Sequence, residues 1–596
     1  MSNARKRVAA LRELMIKAGL DAYHVPSTDP HQSEYVPACW QRRQWLSGFS
    51  GSAGDVVVTR STAGLWTDGR YFLQAADELR GSGVKLFKQG MRGVPTLAAY
   101  LGSTLQRGQT LGVDPQLLSR AVESELSAAL EPAGARLKLV EGNLVDRLWA
   151  DRPPPSKAPV ELLPAELAGD RVRAKLRRLR DAMAERRAAA HVLTTLDAIA
   201  WLFNIRSADV EYNPVVIAYA IVTEDAARVF CDLEKVTPAV RRALAPVELL
   251  PYEATGAELA RLARGKGVVW VDGRGVNVWV LKKLKGCALL TDPSPIHAMK
   301  ARKNPTEIAG MRAAHLRDGR AMVRFLAWLD EAVPGGAVTE LGAAARLAAL
   351  RAEGERYRGE SFETIAAYGA HGAIIHYGPT EATDVPLRPE GIFLIDAGGQ
   401  YLDGTTDITR TVLLGPRATA EQRDRFTRVL KGHIAVARCR FPAGTAGRQL
   451  DTLARASLWE AGLNYNHGTG HGVGFYLNVH EGPQAISSTR CTGVPLEEGN
   501  ILSNEPGYYQ EGDYGIRLEN LVLVVEDREA STEESPWLRF ETITLCPIDT
   551  RLVEVELLTA EERTWLDTYH AGVREALAGG LSAKELGWLQ RATAPL

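Results

Sequence analysis

Gly391-Ile392-Phe393-Leu394-Ile395-Asp396 is an apolar run that ends on a carboxylate, and Asp407 opens a second run that leads to Thr411-Val412-Leu413-Leu414. The pattern returns further along the chain. Glu505 closes Asn500-Ile501-Leu502-Ser503-Asn504, and Glu519 lies between Leu518 and Leu521 in a strand-like stretch that continues to Val525. His471 stands between these pairs in glycine-rich sequence. A carboxylate is rarely buried unless it is paired or bound to a cation. One acid at a strand end is ordinarily a turn or cap residue. Four of them beside apolar runs, with one imidazole, suggest two divalent metal ions that share bridging oxygens.

The spacing has structural content. In an antiparallel hairpin with an even-length loop, even-numbered residues face odd-numbered ones, so Asp396 and Asp407 can point to one face. Glu505 and Glu519 are both odd-numbered and share a face only with an odd-length loop or a β-bulge. Arg517, two residues before Glu519 in the sequence, lies on the same face of a regular strand and can hold a metal-bound carboxylate in place. His467-Gly468-Thr469-Gly470-His471 has the histidine spacing of a zinc-protease helix but lacks the Glu after the first histidine, and its glycines disfavour a helix. It reads as a strand or tight loop, with His471 a ligand and His467 a neighbour that contacts substrate. His376 and His480 also lie beside apolar sequence; a lone histidine there is more often structural than catalytic. His433, in Lys431-Gly432-His433-Ile434, reads as a helix residue. Gly48-Phe49-Ser50-Gly51-Ser52-Ala53-Gly54 fits neither the dinucleotide nor the Walker pattern and reads as turn glycines.

The whole chain frames this region. At 596 residues it is too long for one core, and about three to four domains follow from length. Asp151-Arg152-Pro153-Pro154-Pro155-Ser156 is a stiff linker, and a second boundary falls near Asp292-Pro293-Ser294-Pro295. Asn304-Pro305-Thr306-Glu307 then starts a helix, with a cap, a proline at the first position and an acid where a capping box needs it. The domains expected are residues 1–152, 156–300 and 304–596. The first two look alike. Leu11 to Lys17 leads through Gly19 to Ala22-Tyr23-His24-Val25, and a stripe of Val172, Leu176, Leu179 and Met183 leads to Ala190-His191-Val192-Leu193. Both read as α/β layers. In the third, a helix from Pro305 toward Trp328 precedes strand pairs with turn signals at Asp403-Gly404 and Pro506-Gly507.

Composition excludes several partners. Lys and Arg number 71 against 72 Asp and Glu, so there is no electrostatic case for nucleic acid or an anionic membrane. The arginines Arg177, Arg178, Arg180, Arg186 and Arg187 are interleaved with apolar residues at helical spacing and read as a solvated helix face. No apolar run approaches the ~18 residues of a membrane span. The basic N-terminus, from Met1 to Arg7, leads into an amphipathic helix and not a signal-peptide core. The six cysteines, Cys39, Cys231, Cys287, Cys439, Cys491 and Cys546, form no Cys-x-x-Cys pair, which fits a reduced, cytoplasmic protein.

Taken together, Asp396, Asp407, the His471 segment His-Gly-Thr-Gly-His-Gly-Val-Gly, Glu505 in Asn-Glu-Pro-Gly-Tyr-Tyr and Glu519 in Ile-Arg-Leu-Glu-Asn resemble the dinuclear site of the pita-bread metallopeptidases, a family that includes aminopeptidase P, prolidase and methionine aminopeptidase. The resemblance extends upstream. Asp21-Ala22-Tyr23, His31-Gln32-Ser33-Glu34-Tyr35, the Gly48–Gly54 segment and Trp66-Thr67-Asp68-Gly69-Arg70-Tyr71-Phe72 are similar to the first domain of three-domain, cytosolic-type aminopeptidases P. Leu196 to Asn204 and Asn213-Pro214-Val215 are similar to the second, and the tail from about Pro536, with Glu541-Thr542-Ile543-Thr544-Leu545-Cys546-Pro547, to the C-terminal extension.

The resemblance implies an α/β chain of two creatinase-like N-terminal domains and a pita-bread catalytic domain. It implies release of the first residue from peptides with proline second. Asp396 would bind one metal, His471 and Glu505 the other, with Asp407 and Glu519 bridging. His376, His467 and His480 would contact substrate and handle protons. The family favours manganese, although zinc or cobalt also suits such a donor set. Homodimerisation is implied by the family alone. The chemistry is coherent: an Xaa-Pro bond lacks an N–H, two metals about 3.5–4 Å apart activate a bridging water and polarise the carbonyl, and a histidine or Glu505 protonates the leaving nitrogen. Prolidase is the alternative enzyme; it shares the ligands but generally lacks the middle domain. A catalytically inactive binding scaffold is the alternative of another class, and the full set of five donors argues against it.

Overall fold

The first helix, Asn3–Lys17, buries Ala4, Val8, Leu11 and Met15 at helical spacing and ends before Gly19, whose φ of 67° reverses the chain into the fully buried strand Ala22–Val25. The structure is a computed structural model that describes residues 3–488 and 493–596, so Met1, Ser2 and Cys491 lie outside the described residues. The five described cysteines carry free thiols. Among the described residues no helix is long and apolar enough to cross a membrane.

Two compact units form. One runs up to Leu163 and takes in Asp170–Ile296; the other comprises Pro164–Gly169 and His297–Leu596. The first unit holds two six-stranded sheets of the same design. In the first, Ala22–Val25 pairs antiparallel with Asp55–Thr59 and parallel with Thr110–Val113; Ala63–Thr67, Lys85–Lys88 and Arg136–Leu139 complete it. In the second, Ala188–Leu193 pairs antiparallel with Ala218–Thr223 and parallel with Val268–Val271; Ala227–Cys231, Glu248–Pro251 and Leu289–Leu290 complete it. Numbering each sheet's strands from its own start gives the order 4-3-2-1-5-6 in both, with matching directions. The helix Val172–Glu185 turns Leu176, Leu179 and Met183 inward and leaves Arg177, Arg178, Arg186 and Arg187 in solvent. Gly48 caps the helix Arg42–Ser47 at φ 83°, and Gly51 lies against the Phe49 and Tyr71 rings, so the glycine-rich segment is a packed turn.

The second unit opens on the helix Pro305–Ala332. Asn304 Oδ1 accepts from the amides of Thr306 and Glu307 at 3.0 Å, and the Asn304 amide donates to Glu307 Oε2 at 3.0 Å, closing a capping box. With Glu340–Ala352 this helix packs Met322, Phe325, Leu326 and Leu347 on Phe393, Ile395, Ile408 and Val412 of the strands Ile392–Ala397 and Ile408–Leu413. A second helix pair, Ala420–Arg438 and Gly447–Trp459, packs Val436, Leu450 and Ala454 on Leu502, Val522, Val524 and Leu538 of a six-stranded sheet. That sheet runs Arg440–Pro442, Trp537–Thr542, Asn520–Glu526, Ile501–Asn504, Gly470–Gly472, Glu481–Ile486. This is the pita-bread arrangement: strands within, paired helices outside. The C-terminal strand Trp537–Thr542 is interior to the sheet, and the helices Ala560–Leu577 and Ala583–Ala592 cover Val323 with Val573, Leu577 and Leu589.

Gly432 marks where the second helix pair meets backbone to backbone. A Cβ there collides with the Ala454 carbonyl and sits 2.9 Å from its carbon. Alanine is favoured over glycine in a helix by about 1 kcal/mol, but forcing a methyl against a fixed carbonyl costs about 1–3 kcal/mol. Gly432→Ala is therefore expected to lower the urea unfolding midpoint; a raised midpoint would show that the helices can part.

Candidate metal centre

Asp396 faces Thr409, and Ala397 faces Ile408, across the hairpin Ile392–Ala397/Ile408–Leu413. The same register continues through Gln400 opposite Thr405 and Tyr401 opposite Gly404 to an even, two-residue turn at Leu402-Asp403. Asp407 is therefore two positions from Asp396's partner, and both carboxylates lie on one face of the ribbon. They are 7% and 4% exposed.

The second acid pair follows the other parity. Ile501–Asn504 pairs with Asn520–Glu526 so that Asn504 faces Asn520, and one further step sets Glu505 opposite Glu519. Two odd-numbered residues face each other because the intervening hairpin, Gly507–Gln510/Tyr514–Arg517, closes on the odd-length turn Glu511-Gly512-Asp513. Gly512 takes the left-handed conformation, φ 78°, that such three-residue turns need. Pro506-Gly507 is thus not the turn. Pro506 has no N–H for the ladder, so the chain steps there from one strand pair into the next, and the Leu518 amide donates to its carbonyl at 3.2 Å.

The His467–His471 segment is extended and not helical, with a short strand over Gly470–Gly472 and an irregularity after His471. A Cβ on Gly470 would overlap the Ser503 carbonyl, so glycine lets this strand lie directly against the one that carries Glu505. The His471 amide donates to Ser503 Oγ at 3.0 Å. Its Nδ1 lies 3.0 Å from the Gly472 carbonyl, an acceptor, which places the proton on Nδ1 and leaves Nε2 for a cation. Nε2 is 3.4 Å from Asp407 Oδ2 and 3.7 Å from Glu505 Oε1. Ligand atoms of Asp407, His471 and Glu519 all lie within 4.8 Å of one another, a donor set able to hold a metal ion.

Arg517 braces this group. Its Nη2 donates to Asp396 Oδ2 at 2.6 Å, Nη1 to the Tyr509 hydroxyl at 2.8 Å and Nε to Thr409 Oγ1 at 3.1 Å. Thr409 in turn donates to Glu519 Oε2 at 2.8 Å. Arg517 thus grips Asp396 directly and Glu519 through a threonine. The Tyr509 oxygen lies 2.8 Å from His467 Nε2, and His467 Nδ1 is 2.7 Å from the Gly468 carbonyl. Burial pushes the Tyr509 hydroxyl up to about 12, so it stays protonated and donates to the imidazole. His480 sits edge-on to His471, ring centroids 4.3 Å apart. His376 is on a different segment, half-buried after the short turn Gly369–Ala373, beside Tyr377, whose hydroxyl donates to buried Glu340 at 2.8 Å. Tyr509 and Thr409 are the neighbours that sequence reasoning missed. Tyr509 had a readable signal: on a hairpin with Gly507 facing Arg517, it shares Arg517's face.

The acids are in electrostatic conflict. Burial, then Asp396 and Glu505, push Asp407 well above the usual carboxylate range; burial, then Asp407 and Asp396, do the same to Glu519. Burial also raises Glu505, with His471 and Arg517 opposing it. For Arg517, burial lowers the guanidinium's pKa, but Tyr509 and Asp396 outweigh it and hold it charged. Among the described residues Asp396 Oδ1 has no hydrogen-bond partner, although it is buried. An orphaned carboxylate oxygen inside a crowd of acids fits divalent cations, which would satisfy both the lone pairs and the charge.

Comparison with known proteins agrees with this geometry. The model of metallopeptidase family M24 matches residues 309–526, and that of the C-terminal region of this peptidase family matches 536–596. Creatinase/prolidase N-terminal domain models match 7–148 and 151–307. A protein of Chaetomium globosum named "Probable Xaa-Pro aminopeptidase P" is 43% identical over 626 residues, covering 100% of this chain and 99% of its own. One of the same name from Sordaria macrospora is 43% identical over 616 residues, covering 100% and 99%. The crystal structure of X-prolyl aminopeptidase from Caenorhabditis elegans, described as a cytosolic enzyme with a di-nuclear active site, superposes with a TM-score of 0.95 at 38% identity, covering 100% of both chains. The chain belongs to the M24 metallopeptidase family, with creatinase-type N-terminal domains.

The raised carboxylates set the sign of a pH effect. Without metal, acids whose folded pKa exceeds the ordinary 3.8–4.5 contribute stability below that range and lose it as pH rises through their raised values. Cations relieve the repulsion where it is greatest. The thermal midpoint gained when Mn2+ is added to chelator-treated protein should therefore be larger at about pH 8 than at about pH 5. An equal gain at both would show that the acids are not in conflict.

Proposed function

We propose that this protein is an Xaa-Pro aminopeptidase: it hydrolyses the bond between an N-terminal residue and a following proline, with two divalent metal ions held by Asp396, Asp407, His471, Glu505 and Glu519. The observation that carries the reading is the end-to-end likeness to an X-prolyl aminopeptidase, 38% identical and covering 100% of both chains. Both N-terminal sheets fall within that likeness, which favours an aminopeptidase over a prolidase lacking the middle domain. The donor set supports the metal assignment: Asp396 would hold one ion, His471 and Glu505 the other, and Asp407 and Glu519 would serve both. When bound, such a pair acidifies a water and polarises the scissile carbonyl.

The chain's own groups do the rest. Arg517 holds and aims Asp396, and Thr409 orients Glu519. His467, oriented by Tyr509 and the Gly468 carbonyl, contacts substrate, as do His376 and His480. Glu505 or one of these histidines delivers the proton that the leaving proline nitrogen requires. Proline lacks an N–H, so the site must recognise the ring and its fixed φ in place of a hydrogen bond. Manganese suits the carboxylate-rich donor set and is the metal we assign. A cytosolic location follows the description of the Caenorhabditis elegans enzyme, and a homodimer follows the family resemblance.

Kinetics on Xaa-Pro, Xaa-Pro-Yaa, Xaa-Ala-Yaa and N-acetylated Xaa-Pro-Yaa test the reading. Cleavage of Xaa-Pro-Yaa after Xaa is expected, with the alanine peptide slower by about 100-fold and the acetylated peptide inert. Cleavage confined to the dipeptide would make the protein a prolidase. Separately, Asp407→Asn and Glu519→Gln should each lose bound metal and more than about 100-fold in activity, beyond what a ligand's hydrogen-bonding neighbour costs. Two metals and full activity in either variant would remove that residue from the bridging role.

A further inference from the structure

Arg410 follows Thr409 on the Asp407 strand, and strand alternation turns it away from the acids. It is fully buried. Its Nε donates to the Pro547 carbonyl at 2.8 Å, and Nη1 to the carbonyls of Thr409 at 2.9 Å and Glu519 at 2.7 Å. Nη2 donates to Asn520 Oδ1 at 2.8 Å, the Cys546 carbonyl at 2.8 Å and the Tyr569 hydroxyl at 3.1 Å. One guanidinium therefore joins the backbone of Glu519, the residue after it, and two carbonyls and a tyrosine of the C-terminal region. Tyr569 rides on the helix Ala560–Leu577, and its hydroxyl donates to the Thr544 and Cys546 carbonyls at 3.1 and 3.0 Å.

A buried charge needs compensation, and among the described residues it comes from oriented carbonyls and a tyrosine hydroxyl and not from a carboxylate. An apolar side chain would fill the space at lower desolvation cost. What the arginine supplies instead is a fixed geometry between three separate segments. His433 extends the same bracing to the other glutamate. Its Nδ1 donates to the Asn504 carbonyl at 3.1 Å, its Nε2 accepts from Asn520 Nδ2 at 3.1 Å, and Asn504 Nδ2 donates to the His433 carbonyl at 2.9 Å. Asn504 precedes Glu505 and Asn520 follows Glu519, so the rear of both glutamate positions is clamped by one polar network.

We propose that Arg410, anchored by Tyr569 and the carbonyls of Cys546 and Pro547, is a positioning residue through which the C-terminal region sets the spacing of Glu505 and Glu519, and with it the affinity of the second metal ion. The inference rests on the reading of the acid cluster as a two-metal site. Catalytic constellations tolerate only about 0.5 Å of error, and their outer hydrogen bonds supply that precision. A hydroxyl on the helix Ala560–Leu577 is thereby coupled to metal occupancy without touching metal or substrate.

Chelated full-length protein is titrated with Mn2+ by calorimetry, the electron paramagnetic resonance signal of a spin-coupled manganese pair is recorded, and kcat and KM are measured at fixed and at saturating Mn2+. The variants are Tyr569→Phe, Arg410→Lys and Arg410→Met, with Arg312→Ala as control. Arg312 forms an exposed ion pair with Glu541 at 2.7 Å, so its loss loosens the tail's attachment without entering the network. Tyr569→Phe should weaken the second Mn2+ by about 10-fold, the lower end of the cost for outer hydrogen-bonding partners of a metal site. It should lower kcat at fixed Mn2+, leave KM unchanged and recover at saturating Mn2+. Arg410→Lys should lie between wild type and Arg410→Met, which should bind one ion and lose the coupled signal. If Arg410→Met does not fold, Tyr569→Phe and Arg410→Lys decide. Two ions at wild-type affinity in those variants, or an equal loss in Arg312→Ala, would overturn the inference. A wild type that binds fewer than two ions would instead overturn the two-metal reading, and that result precedes any variant.

Discussion

Repulsion among buried carboxylates is the constraint on which the catalytic unit depends. Burial and the neighbouring carboxylates push Asp407, Glu505 and Glu519 above the usual carboxylate range, with Asp396 among the charges that act on them. No chain would keep such a cluster for packing alone, since each acid costs several kcal/mol when buried unpaired. The surroundings answer the repulsion in layers. Arg517 neutralises part of it from one side, imidazoles face it from another, and the remaining lone pairs, Asp396 Oδ1 among them, are open to cations. The helices outside and the strand pairs within keep the acids from relaxing apart.

The two pairs of acids arrive by different parity, and that difference shows how much a sequence can carry. Asp396 and Asp407 required only a regular hairpin with an even loop, which local pattern predicts. Glu505 and Glu519 required an odd loop, and the dipeptide that looked like the turn, Pro506-Gly507, is a step between ladders. Glu511-Gly512-Asp513 closes the hairpin, and the left-handed glycine there was the sign to weigh. The paired α/β layers at the N-terminus were legible because helix and strand follow in the same order twice. Their identical strand order was not, because parallel neighbours such as Ala22–Val25 and Thr110–Val113 are far apart in sequence.

What sequence could not reveal was the wiring behind the acids. Arg410 looks like any strand arginine, and His433 sits where a helix residue was expected. Their partners lie tens to more than a hundred residues away, in Asn504, Asn520, Cys546 and Tyr569. Such contacts follow from tertiary packing and leave no periodic trace. Arg517 was placed near Glu519 by strand alternation, yet its guanidinium reaches Asp396 and touches Glu519 only through Thr409. Alternation fixes the face of a side chain and not the atom that it finally meets.

The strand Trp537–Thr542 has a consequence for synthesis. It sits inside the six-stranded sheet, between Arg440–Pro442 and Asn520–Glu526, although it follows both in the chain. Every acid of the cluster leaves the ribosome before it. Until that strand docks, Asn520–Glu526 presents an unpaired edge and the sheet carrying Glu505 and Glu519 lacks its outer neighbour. The sheet behind the acid cluster is therefore completed by a segment made after every one of the acids, so closure of their outer wall waits on the C-terminal region.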